Sequence, residues 1–267
     1  MISKLLKLFL FLTVIASCAE KEFDPNDAQK SFLIAKEPFD DEYYDMAIQK
    51  LGEFKARFPY SKYAIEAELL MADTHFELEH YTEAALSYEQ FVKLHPKHPK
   101  VDYALFRVGQ SYWEDAPEEI DREQEYTKKA IVEWRKLVEK QPDSEYSVKA
   151  RALIAKGQRR IAESVSFISK FYCKQEIYHA CAYRSIQLAD EYGEFPDLRI
   201  EGLQRAVLAL REVAKAKEAP KDEEEDRGED SNLYFKTMSA QEIRERADNL
   251  EKGLNEYKKT VNTRDGH

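Results

Sequence analysis

YTEAALSYEQFVKLHP, residues 81–96, repeats the spacing of YDMAIQKLGEFKARFP, residues 44–59: Tyr81, Ala84, Tyr88, Phe91 and Pro96 follow Tyr44, Ala47, Leu51, Phe54 and Pro59 by 37 residues each. Ala130, Trp134, Leu137 and Pro142 repeat the last four a further 46 residues on, and Cys181, Ser185 and Leu188 follow 51 later, with Gly193 where proline is expected. Steps of three and four place these residues on one face of a helix, and the closing proline stops it because it can neither donate a backbone hydrogen bond nor clear the preceding turn. Upstream of each set, Ala72 and Gly109 stand 37 apart, with His75 and Tyr112 three residues beyond them. One small residue on each of two antiparallel helices lets their backbones approach.

Small on helix A, alanine on helix B and proline in the turn onward is the logic of tetratricopeptide (TPR) repeats. The predicted fold is therefore all-α, a solenoid of about five TPR-like helix-turn-helix repeats. The third repeat carries a polar loop from Ala116 to Gln124, the fourth is degenerate, and the fifth has one clear helix, Leu198 to Lys217. The run from Lys221 to Asp230 reads as a solvated, disordered loop, attraction of a basic partner being the other reading, and a closing helix follows from Ala240 to Lys259.

The 267 residues include only 8 Gly and 9 Pro, with 16 Tyr and 14 Phe to bury. That composition fits an ordered helical protein and excludes collagen-like and disulfide-dense classes. With 51 acids against 41 bases and no basic run, nucleic acid is not an expected partner. No two glycines lie closer than nine residues, so phosphate-cradling glycine loops and the nucleophile elbow are absent, as is HExxH. No catalytic site, metal site or cofactor is expected. His95 and His98 lie in HPKHPK, where the prolines break helical register, and a turn is the reading preferred over a metal pair. Cys173 and Cys181 straddle the hairpin of the fourth repeat; a disulfide and simple burial of Cys181 both fit.

Residues 1–17 form a secretory signal: Lys4 and Lys7, an apolar stretch from Leu8 to Ile15, then small residues. Ile15-Ala16-Ser17-Cys18 resembles the bacterial lipobox, which implies lipidation of Cys18; the other reading is ordinary cleavage near Ser17 with an incidental thiol. Cleavage leaves 39 bases against 51 acids, a net charge of −12. The predicted organisation is 1–17 signal, 18–26 lipidated tether, 27–218 repeats 1 to 4 and the first helix of repeat 5, 219–238 acidic insertion, 239–260 closing helix and 261–267 tail. Ala19 to Asp27 spans at most about 30 Å, which keeps the repeats close to a membrane.

In a curved stack the A helices line the inside. The inward positions are Gln29, Phe32, Lys36 and Phe39, then Glu66, Leu69, Asp73 and Phe76, then Tyr103, Phe106, Gln110 and Trp113. Phe32, Lys36, Phe39, Asp73, Phe76, Tyr103, Phe106, Gln110 and Trp113 form the candidate peptide groove. Packing between repeats is the alternative for Phe32, Leu69 and Phe106, whereas Phe39, Phe76 and Trp113 lie nearer the helix ends.

The lipobox, the repeats and the stretch from His95 to Gly109, with its HPxHPxxDY core, together resemble the BamD (ComL) family, lipoproteins of the outer-membrane β-barrel assembly machinery. Asp121 to Gln124, Phe171-Tyr172 and Tyr178 to Arg184 add to the resemblance, which runs from about Asp24 to Phe195. It implies a scaffold at the periplasmic face of the outer membrane that binds BamA through C-terminal repeats. Unfolded outer-membrane proteins or accessory lipoproteins would occupy the N-terminal groove. Arg184 matches the family's arginine at the BamA contact; an exposed helix arginine is its other reading. Ala19 in place of aspartate is similar to outer-membrane sorting in enteric bacteria. A general envelope TPR adaptor for wall synthesis or division shares the lipobox and repeats without needing the His95 to Gly109 motif, and a lipid-anchored hydrolase would need a catalytic glutamate in a cleft.

Overall fold

The computed structural model describes residues 22–219 and 233–264. The signal segment, Cys18, Ala19, the acidic run and the last three residues lie outside the described residues. Helices follow one another in chain order and no strand occurs among the described residues. The chain divides into two compact units, one ending at His98 and one beginning at Pro99.

The first unit holds α1 (Ala28–Asp40), α2 (Tyr44–Arg57), α3 (Lys62–Glu77) and α4 (Tyr81–Leu94). Asp27 caps α1, its carboxylate accepting from the Lys30 amide at 2.9 Å, and Ser61 caps α3 through the Tyr63 amide at 3.2 Å. Each side chain satisfies an amide that the first turn leaves without an internal partner. Consecutive helices pack together, and α1 also packs against α3. Ala47, Leu51, Phe54, Ala84, Tyr88 and Phe91 are all buried, so the repeat spacing marks the core of both helix pairs.

The second unit holds α5 (Val101–Glu114), α6 (Glu125–Lys140), α7 (Glu145–Lys174), α8 (Tyr178–Glu191), α9 (Pro196–Glu218), the short α10 (Leu233–Lys236) and α11 (Ala240–Arg264). Neighbours pack in order, with α5 on α7 and α7 on α9 in the second layer of contacts. Ala130, Trp134, Leu137, Cys181, Ser185 and Leu188 are buried, as the spacing requires.

Close approach is visible at two glycines. A Cβ on Gly109 would collide with the indole of the buried Trp134, whose N–H donates to the Phe106 carbonyl at 3.1 Å. A Cβ on Gly202 would lie 2.9 Å from the Ser185 carbonyl oxygen, so α8 and α9 touch backbone to side-chain position. The sequence identified the first of these; the second lies outside the repeat frame.

The loop between α5 and α6 is polar, as expected, yet it has an internal anchor. Gln124 is 4% exposed; its amide donates to the carbonyls of Glu119 at 3.0 Å and Arg122 at 3.3 Å, while its oxygen accepts from the Thr127 hydroxyl at 2.7 Å. The structure also joins Cys173 to Cys181 in a disulfide across the α7–α8 turn, with Cα atoms 5.0 Å apart, inside the range a disulfide spans. Burial and bonding both apply to Cys181.

Candidate functional site

In the first unit, the groove residues on α1 are half-buried aromatics that also hold the pair together. Phe32 stacks on Tyr63 at 5.6 Å and tilts against the buried Phe54 at 5.6 Å; Phe39 meets Tyr44 edge-on at 5.7 Å. On α3, Phe76 meets Tyr81 edge-on at 5.2 Å, the same contact one repeat later. Lys36 is ion-paired with Asp40 one turn on. Asp73 accepts from the hydroxyl of the buried Tyr88 at 2.5 Å, so it ties α3 to α4. Leu69 is 2% exposed and belongs to the core, which decides the alternative left open for that position. Gln29 is exposed.

The HPKHPK turn closes the same unit. His95 Nε2 lies 2.7 Å from a Glu68 carboxylate oxygen, His98 Nε2 lies 3.7 Å from Glu66, and both imidazoles flank the buried Phe91 at 5.2 and 5.1 Å. Burial raises the Glu68 pKa, but hydrogen bonds from His95 and Lys55 more than offset this and leave it below the ordinary glutamate value. The two histidines therefore pin the end of α4 to α3. Among the described residues, no group of three or more His, Cys, Asp or Glu side chains is placed to hold a metal ion.

In the second unit, Tyr103, Phe106, Gln110 and Trp113 share one face of α5, and all are half-buried. Tyr103 and Phe106 meet Tyr146 of α7 at 5.6 and 5.5 Å, and Phe106 stacks 6.2 Å from Trp134. Gln110 accepts from Arg107 at 3.4 Å. Trp113 lies 5.8 Å from Trp134 and carries two cations on its ring: the Arg160 guanidinium at 3.9 Å and the Lys156 ammonium at 5.2 Å. The face thus combines aromatic surface with positive charge.

Lys156 and Arg160 escaped the sequence reading, which followed the A helices of the first three repeats only. Their signal was present. Between Tyr146 and Ala162 of α7 stand Lys149, Arg151, Lys156, Arg159 and Arg160 without one acid, in a chain where acids are in excess. Arg184, on α8, is half-buried; it donates to Gln187 at 2.9 Å and lies 5.8 Å from the Tyr183 ring. Cys18 lies outside the described residues.

The family described as YfiO, outer membrane lipoprotein, matches residues 25–225. The chain belongs to that family. Among curated YfiO-like relatives, the outer membrane protein assembly factor BamD of Neisseria gonorrhoeae is 25% identical over 195 residues, 67% of this chain and 73% of the relative. BamD of Pasteurella multocida is 25% identical over 203 residues, 71% and 78%. BamD of Rickettsia prowazekii is 23% identical over 223 residues, covering 80% of this chain and 88% of that protein. The YfiO match extends past α9, whereas the resemblance in the sequence ends at about Phe195. No described helix is long and apolar enough to cross a membrane.

Proposed function

We propose that this chain is a lipid-anchored scaffold of the outer-membrane β-barrel assembly machinery, facing the periplasm. It acts by binding, without catalysis and without a cofactor beyond the lipid on Cys18. The observation that carries the reading is the family match over residues 25–225, joined to relatives named outer membrane protein assembly factor BamD. The helix-pair repeats support it, because stacked pairs offer extended faces suited to polypeptide partners. In this reading Arg184 contacts the periplasmic domains of BamA. The A-helix faces, Phe32, Lys36, Phe39, Asp73 and Phe76 in one unit and Tyr103, Phe106, Gln110 and Trp113 in the other, receive unfolded outer-membrane proteins. Accessory lipoproteins of the machinery are further partners.

The test is affinity purification of the C-terminally tagged chain from membranes in mild detergent, with mass spectrometry of what accompanies it. The expected result is a stoichiometric outer-membrane barrel protein with repeated periplasmic domains, its recovery reduced by Arg184→Glu. Cys18→Ala is expected to move the protein to the soluble fraction after a salt wash. Recovery of wall-synthesis or division proteins without any barrel protein would replace this reading with that of a general envelope adaptor.

A further inference from the structure

Lys156 and Arg160 stand four residues apart on α7, so they face the same way, and like charges at that spacing repel. Both rest on the Trp113 indole. A ring face attracts a cation, but it does not neutralise one. Among the described residues neither has a carboxylate within ion-pairing distance, and Arg160 Nη1 is buried without a hydrogen-bond partner. The adjacent Arg159 shows what this chain does with a cation it needs for packing. Its guanidinium is bidentate to Asp197 at 2.9 and 2.6 Å and meets Glu163 at 2.8 Å. With 51 acids available against 41 bases, a half-buried guanidinium stacked on the ring without a carboxylate, and an exposed ammonium beside it, make a place where an anion from outside the chain is favoured.

We infer that Trp113, Lys156 and Arg160 form a carboxylate-binding subsite for an acidic, extended segment of a partner polypeptide lying along α5. This deepens the groove reading above and rests on it. Nη1 of Arg160 is closed to solvent, so an incoming carboxylate meets the remaining guanidinium N–H groups, and the indole holds their plane in place. The choice of a polypeptide follows from what lies beside the subsite. Phe106 is two turns before Trp113 on the same face, about 10.5 Å at the helical rise. That separation is close to one turn of polyproline II chain, three residues at about 3.1 Å each, which returns side chains i and i+3 to the same side. The preferred segment therefore carries an aromatic or large aliphatic side chain three residues from a glutamate or aspartate, the first over Phe106 and Tyr103, the second at Arg160.

The experiment titrates the full chain in mild detergent with the peptide acetyl-GSFSSEGS-amide and with its glutamine counterpart, acetyl-GSFSSQGS-amide, reading tryptophan fluorescence. Expected is a preference of about tenfold for the glutamate peptide, as for one charge-assisted hydrogen bond that the amide cannot replace. The preference should vanish in Arg160→Gln, weaken in Arg160→Lys and Lys156→Gln, shrink at high salt, and persist in Arg151→Gln, whose guanidinium instead donates to the Pro142 carbonyl. Equal binding of the two peptides overturns the carboxylate subsite while leaving a groove; binding of neither overturns both. Inorganic phosphate alone producing the same Arg160-dependent change would overturn the assignment to a polypeptide in favour of a phosphate site.

Discussion

Glu42, Glu79 and Glu176 have φ of 63°, 60° and 60°, the left-handed region where a Cβ is unwelcome. Each closes an A helix in the same way. The Glu79 amide donates to the Phe76 carbonyl and the His80 amide to the His75 carbonyl, both at 2.9 Å; Glu42 with Tyr43 and Glu176 with Ile177 repeat the pair of bonds. This is the Schellman arrangement, which usually places glycine at that residue. Glu79→Gly is expected to raise stability by about 0.5–1 kcal/mol, the relief of strain less the entropy glycine adds to the unfolded chain. Glu83→Gly, inside α4, is expected to lower it by about the same amount. Denaturant midpoints of the two variants should move in opposite directions, and a fall for Glu79→Gly would contradict the account. His75 makes a second prediction at this scale. Burial holds its pKa below the ordinary imidazole value, partly opposed by Glu83, and its Nδ1 is buried without a hydrogen-bond partner. The unfolded chain therefore takes up a proton at about pH 6.5, before the folded chain does. The stability that His75 confers as a neutral group is complete above that pH and is lost as pH falls toward the lowered pKa. His75→Phe should thus reduce the drop in denaturation midpoint between pH 7.5 and 5.5; an unchanged drop would remove His75 as its source.

Elements were legible to the extent that their ends carried a signal. The B helices, with an alanine-sized position, large residues and a closing proline, could be placed by counting. The 30-residue α7 could not, because no proline interrupts residues 145–174 and its one glycine, Gly157, is packed against Ile131 rather than ending the helix. The same length hid half of the candidate site: Trp113 falls in the repeat frame, whereas Lys156 and Arg160 project from a helix whose register the frame did not reach. The end of α7 is fixed by the disulfide to α8, which closes a loop with a sequence separation of 8. Cys181 occupies the position of Ala84 and Ala130, so Cys181→Ala preserves the packing while removing the bond. The double variant Cys173→Ser/Cys181→Ala is expected to lose about 2.5 kcal/mol, the closure entropy of so short a loop. Hydrogen exchange should localise the change to the α7–α8 turn. An equal rise in exchange along α5 and α6 would mean that the bond supports more than its own hairpin.

At the scale of the whole molecule, stacked repeats face a problem that no single repeat solves: the last helix of a stack leaves an apolar face uncovered. In the second unit α11 covers it. Ile243, Ala247 and Leu254 are buried along one side of α11, against α9, while Gln241, Glu242, Arg244, Glu245, Asp248, Asn249 and Lys252 are exposed on the other. Ion pairs from Arg211 of α9 to Asp248 at 3.3 Å and Glu251 at 2.8 Å fix its register. Phe235 of α10, 1% exposed, joins the same core as Leu210, Val213 and Ala214 of α9. Each large side chain buried there contributes about 1.5–3 kcal/mol. Ending the chain after Ala219 removes these partners and exposes the α9 face along its length. The truncated protein is expected to keep the helices before Ala219 yet to self-associate, eluting as oligomers by size exclusion at concentrations where the full chain is a single species. A synthetic peptide of residues 240–264 should restore the smaller species if covering α9 is what α11 does. A truncated chain that elutes at the size of one copy, with an unchanged denaturation midpoint, would show that α9 needs no cover and that α11 serves a partner instead.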